Sequence, residues 1–175
     1  MADIAIEGLA ELNTLLEQFP DQIQRKVMRG ALRAGQKVVM EAARSYAPSA
    51  RPGTDAEAQW GAYAGALRDS LKIGTRLRNG KVIATLVAGN KTAFYARWVE
   101  FGTKPHTITP QHGRYITLGG KAYTSLPHPG AKPNPFMRRA IDLKVGEATQ
   151  AVAEYLRVRI VREMDKMTDE QDETV

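Results

Sequence analysis

Three histidines, His106, His112 and His128, fall in one proline-rich stretch, and imidazole nitrogens suit zinc. A metal site is therefore the first chemistry to weigh. The pattern argues against it. The chain has no cysteine, no acid stands between Phe101 and Ile141, and the histidines lack regular spacing in a loop. Ser125 lies near His128, as a nucleophile would near its base, yet no nucleophile-elbow context surrounds it. Gly119-Gly120-Lys121 does not open a helix, so its amides cannot cradle a phosphate. No catalytic, cofactor-binding or metal-ligating residue is assigned, and the chain reads as a non-enzyme.

Arginine offers a second chemistry. Arg25, Arg29 and Arg33 recur every four residues on an expected helix, forming a basic stripe that could follow a nucleic-acid backbone. Lys26, and Arg157, Arg159 and Arg162 on the last helix, add to it. Against this, Tyr115 and Tyr123 are not interleaved with bases as stacking platforms would be, and no helix-turn-helix or zinc-finger pattern is present. Any amphipathic surface helix shows such a stripe opposite its apolar face. A stand-alone nucleic-acid-binding protein is the alternative reading. Net charge is +6 at pH 7. Setting aside Asp169, Glu170, Asp172 and Glu173 of the tail leaves 25 bases against 15 acids, a net of +10. A basic body suits either an acidic partner or plain solubility.

The elements that must carry these residues follow from periodicity. Ile4 and Ile6 alternate within Asp3–Glu7, as in an edge strand. Leu9, Leu12, Leu15, Leu16 and Phe19 give a helical stripe that stops at Pro20. A second helix runs from Asp21 to about Arg44, with a buried stripe of mostly small residues that lets another element approach closely. Ser49–Trp60 is loop material by composition, and Tyr63–Leu67 is placed to form a helical turn. Leu71–Leu77 and Lys81–Ala88 alternate around Asn79-Gly80, the dipeptide of a tight hairpin. Lys104–Asn134 holds five of the nine prolines and reads as an arm, in which Thr107–Ile108 and Arg114–Leu118 are positioned to pair. Asn134-Pro135 starts a last helix about 50 Å long if it reaches Met167, at ~1.5 Å per residue, and Gly146 would bend it or mark a close crossing.

Phe94, Trp98 and Phe101 fall at i, i+4 and i+7 on one short helix, and with Tyr95 supply four of the chain's twelve aromatic residues. That face is expected to anchor the core. Gly102 follows where a helix ends in a left-handed residue. Glu100 opposes the macrodipole there, so either it is simply solvated or a cation compensates it, from Arg97 or from Arg138–Arg139.

Tyr95-Ala96-Arg97-Trp98-Val99-Glu100-Phe101-Gly102-Thr103, followed by the segment from His128 to Ile141, resembles the neck, or head–tail joining, proteins of long-tailed phages. Ile4–Leu12 resembles that family's opening, and Ala47-Pro48 with Leu67-Arg68-Asp69-Ser70-Leu71 its middle. The pieces run in the family's order from about residue 4 to residue 142.

The resemblance implies a structural virion protein at the head–tail junction, in the neck or in tail completion, made in the host cytoplasm and acting by ring assembly. Its implied partners are copies of itself, a head connector protein, and a tail-completion or tail-tube protein, with DNA passing through the ring and no membrane. Glu100, Phe101, Gly102, Thr103, Pro135 and Phe136 carry the family pattern and are expected to define the fold or an interface, as is Trp98. Arg139 stands where the family often has proline, and residues 50–65 look like an insertion.

The fold class expected from both lines is α+β, with an antiparallel sheet built from hairpins packed against N-terminal helices and a long C-terminal helix. Residues 1–167 would form one domain with an extended arm at about 104–134, and residues 168–175 an acidic disordered tail.

Overall fold

The computed structural model describes residues 9–49, 63–110 and 113–172. The expected N-terminal strand lies outside them, as do residues 50–62 of the insertion. Helix α1 covers Leu9–Glu17 and α2 covers Asp21–Tyr46. Pro20 separates them, and its carbonyl accepts the Ile23 and Gln24 amides that open α2. The residue before a proline is pushed out of helical geometry. Ala47, just ahead of Pro48, is accordingly extended at φ −64°, ψ 128°, and α2 stops there.

Helix α3 (Ala66–Asp69) leads into β1 (Lys72–Arg78) and β2 (Lys81–Val87). These strands pair antiparallel from Lys72↔Val87 to Arg78↔Lys81. The turn between them has Asn79 at φ 50° and Gly80 at φ 73°, the geometry that matches strand twist. Two buried side chains fix this hairpin to the helices. Gln36 on α2 donates its amide to the Gly74 and Thr85 carbonyls at 2.9 and 2.8 Å. Ser70 accepts the Gly89 amide at 2.9 Å and donates to the Leu67 carbonyl.

Helix α4 spans Ala96–Phe101, and α5 spans Phe136–Asp172. α5 lies antiparallel along α2: Gly30 faces Tyr155, while Gly35 faces Ala148 and Val152. The small residues of α2 thus permit the close approach that their size suggested. At one end Leu16, Phe19, Val27 and Ala31 pack with Leu156 and Ile160. At the other, Ala42, Ala43, Leu67, Leu71, Ala93 and Ala96 enclose Phe136 and Ala140. Arg139 lies 4.5 Å over the Tyr46 ring, a cation–π contact between the two long helices.

The α+β class is as expected, but the hairpins do not merge into one sheet. Among the described residues there are three separate two-stranded ladders, and the β1–β2 ladder is the one that packs against α2. Gly146 neither ends α5 nor marks a crossing, since a methyl there would meet nothing within 4 Å. α5 also runs on to Asp172, through residues expected to begin a disordered tail. Residues 168–172 contain no glycine or proline, and Glu and Gln are good helix formers.

The two glycines should respond oppositely to alanine. At Gly35 a new methyl would stand 2.8 Å from the Ala148 carbonyl oxygen, backbone that cannot swing aside. Gly35→Ala should cost about 1–3 kcal/mol, whereas Gly146→Ala should stabilise by about 0.5–1 kcal/mol. Thermal melts shifting in the same direction for both variants would contradict this packing.

Candidate interaction surface

Helix α4 is entered through Asn90, whose side-chain oxygen accepts the Thr92 and Ala93 amides at 2.9 and 2.8 Å. Ala93, Ala96 and Glu100 then point inward and are buried. The aromatic set is offset from them by one residue, about 100° around the helix. Phe94, Trp98 and Phe101 do share a face, and Phe94 and Trp98 meet edge to face at 5.5 Å. That face is in solvent, with the three residues 43, 52 and 61% exposed. The expectation that they anchor the core is therefore wrong. Ala93 and Ala96 pack there instead, in the cluster with Ala42, Ala43 and Phe136.

Glu100 is the reason for the orientation. Its two carboxylate oxygens accept the Met137 and Arg138 amides at 2.9 and 3.1 Å. These belong to the first turn of α5, where amides lack helical partners and the dipole is positive. The compensation is thus backbone, not the guanidinium of Arg97, Arg138 or Arg139 that the sequence suggested. Pro135 occupies the entry to α5, its carbonyl accepting the Arg139 amide, and the Asn134 amide donates to the Val99 carbonyl. Phe136 beside them is fully buried.

Gly102 and Thr103 close the root of the arm. The Thr103 amide donates to the Ala131 carbonyl at 3.0 Å, and the Ala131 amide is shared between the Thr103 carbonyl and hydroxyl oxygens. Gly102 has positive φ, 70°, as expected, but with ψ −176° it lies outside the left-handed helical region, in backbone space that is essentially glycine's alone. A methyl on it would lie 2.5 Å from the Ala131 carbonyl oxygen.

Beyond this clamp, β3 (His106–Ile108) pairs with β6 (Leu126–His128), and β4 (Ile116–Leu118) with β5 (Lys121–Tyr123). The expected pairing of Thr107–Ile108 with Arg114–Leu118 does not occur. Gly119 and Gly120, at φ 57° and 75°, make a two-residue turn that folds β4 directly onto β5. Ile108, Tyr115 and Leu118 on this arm are exposed. His106 and His128 face each other with ring centroids 5.0 Å apart. His112 lies outside the described residues. Among the described residues no group of three or more His, Cys, Asp or Glu is arranged to hold a metal.

The arginine stripe lies elsewhere. Arg25, Lys26, Arg29 and Arg33 line one wall of a cleft of about 620 Å³, with Thr75 and Leu77 of β1 opposite. Arg25 pairs with Asp21 at 3.0 Å. Among the described residues no carboxylate lines the cleft and no acid pairs with Arg29 or Arg33. Arg159, by contrast, is paired with the buried Glu163 on α5.

A family model described as "Bacteriophage HK97-gp10, putative tail-component" matches residues 10–102. That is more than half of the chain. The chain belongs to this family. It is a structural tail-component protein of phage origin, associated with the virion. The matched region runs from α1 through α4 and ends at Gly102, so it includes Trp98, Glu100, Phe101 and the arginine stripe. Thr103, Pro135 and Phe136 lie beyond it. No curated protein and no solved structure gives a significant match. Among the described residues no helix is long and apolar enough to cross a membrane.

The structure thus gathers Glu100, Gly102, Thr103, Pro135 and Phe136 at one joint between α4, α5 and the arm, leaves Trp98 and Phe101 on the surface beside it, and sets Arg25, Arg29 and Arg33 apart. Sequence reasoning missed Gln36 and Ser70. Both look like ordinary polar residues in a helical pattern, and their partners lie far along the chain or in a turn.

Proposed function

We propose that this tail component is a ring-forming subunit of the head–tail junction, in the neck or in tail completion, and acts through protein–protein contacts. The observation that carries the reading is the aromatic face of α4. Three rings that local periodicity would place in a core are exposed, beside a groove of about 390 Å³ that combines Ala88, Ala96, Phe101, Met137 and Ile141 with the charged Arg97, Glu100, Arg138 and Asp142. Exposed apolar surface of this kind marks a site for a partner, and each ring gains about 1.5–3 kcal/mol when fully buried.

The arm is its natural counterpart. Its strands are three residues each, and a two-stranded ladder of that size is marginal alone. Docking on a neighbouring copy supplies the missing contacts, and assembly offsets the ordering cost. The proposed partners are further copies of the chain, a head connector protein and a tail-completion or tail-tube protein, with DNA passing through the ring.

Limited proteolysis tests the arrangement. Trypsin should cut at Arg114 or Lys121 in the isolated subunit far sooner than in the assembled ring, and equal resistance in both states would refute arm docking. The second reading, a stand-alone nucleic-acid-binding protein, draws on the basic cleft. Tight duplex binding by the monomer, with log affinity falling steeply against log salt, would favour it instead.

A further inference from the structure

We infer that the cleft between α2 and β1 is a socket for the acidic segment 168–175 of a second copy of this chain. Arg29 and Arg33, with Lys26 and the Asp21-paired Arg25, concentrate positive charge along one wall, and among the described residues nothing acidic lines the cleft. Clustered, exposed, unpaired arginines repel one another, and their forked donors are suited to carboxylates. The chain carries its own complement: Asp169, Glu170, Asp172 and Glu173 with no base from 168 to 175. The opposite sign is thus segregated to two separate places in one sequence, +10 on the body and −4 on the segment.

The described part of the segment, to Asp172, leads away from the cleft of its own chain. Gly35 faces Ala148 and Gly30 faces Tyr155, so residues of α5 and α2 draw level as one number rises and the other falls. On that pairing α5 passes the start of α2 at about residue 162–166, and Met167 packs beside the cluster of Phe19 and Val27. The helix continues to Asp172. At ~1.5 Å per residue, Asp169 lies roughly 14 Å along the axis beyond Arg25, roughly 20 Å beyond Arg29 and roughly 25 Å beyond Arg33. A contact between unlike patches on two copies is head-to-tail, the kind that closes rings. The inference deepens the self-assembly reading by naming a contact, and it rests on that reading for its occupant.

Among the described residues no aromatic side chain lines the cleft to offer single-stranded bases a stacking platform. Duplex phosphates remain the rival occupant for the test. A labelled peptide of residues 167–175 is titrated into the full chain and into Arg29→Glu/Arg33→Glu by fluorescence anisotropy. Binding that weakens with salt, and weakens about tenfold or more in the variant, is expected. Equal binding by both proteins overturns the inference, and so does duplex DNA binding at the cleft with no peptide binding.

Self-association is then measured for the wild type, for Arg29→Glu/Arg33→Glu, for Asp169→Lys/Glu170→Lys/Asp172→Lys, and for the combined charge swap. Each half alone should weaken association about tenfold, and the swap should restore it. Association unchanged in either half overturns the socket while leaving the ring reading standing. A wild type that stays monomeric but binds the peptide at Arg29 and Arg33 supports the socket and contradicts the ring.

Discussion

Phe136→Ala should destabilise the protein by about 3–5 kcal/mol, the range for deleting a buried ring whose surroundings cannot collapse. Phe136 is fully buried at the point where α5 begins, enclosed by Ala42 and Ala43 of α2, Leu67 of α3, Leu71, and Ala93 and Ala96 around α4. Four of those six neighbours are alanines, whose side chains are too short to fill the space. Chemical denaturation checks the value. A loss below about 1 kcal/mol would mean that the α4–α5 joint relaxes around the cavity, and the joint could not then be the fixed base of the arm.

Glu100→Ala should cost about 2–3 kcal/mol, because two hydrogen bonds to a charged acceptor disappear and their donors stay in a largely enclosed site. Glu100 is only 8% exposed, so water replaces it poorly. Glu100→Gln should cost less, about 1 kcal/mol, since it keeps an acceptor for one amide but loses the negative charge at the positive end of α5. The order matters more than the values. If Gln proved as damaging as Ala, the carboxylate would be acting through its charge alone rather than as the acceptor for two amides. If neither variant changed stability, the cap would be incidental.

These two residues also show what the sequence can and cannot convey. The β1–β2 hairpin was legible because Asn79-Gly80 specifies its turn within two residues. The close α2–α5 crossing was legible because Ala31 and Gly35 leave room for a neighbour. The spacing of Phe94, Trp98 and Phe101 correctly placed them on one face of α4. Periodicity says which residues share a face, not which way the face points, and here the direction is set by Glu100 and two alanines. Glu100 finds its partners 37 and 38 residues away, and Gln36 holds carbonyls 38 and 49 residues away. No local pattern encodes such pairs. The arm's register was readable in principle, since Gly119-Gly120 is itself a hairpin-turn dipeptide, but the longer pairing with Arg114–Leu118 ignored it.

The central claim is that the aromatic face of α4 is an interface and not part of the core. Sedimentation velocity on Trp98→Ala/Phe101→Ala, paired with a thermal melt of the monomer, tests it directly. Assembly should be lost, while monomer stability stays within about 1 kcal/mol of wild type, as for exposed substitutions. Intact assembly together with a stability loss of about 3–5 kcal/mol, the cost of removing a buried ring, would contradict the account.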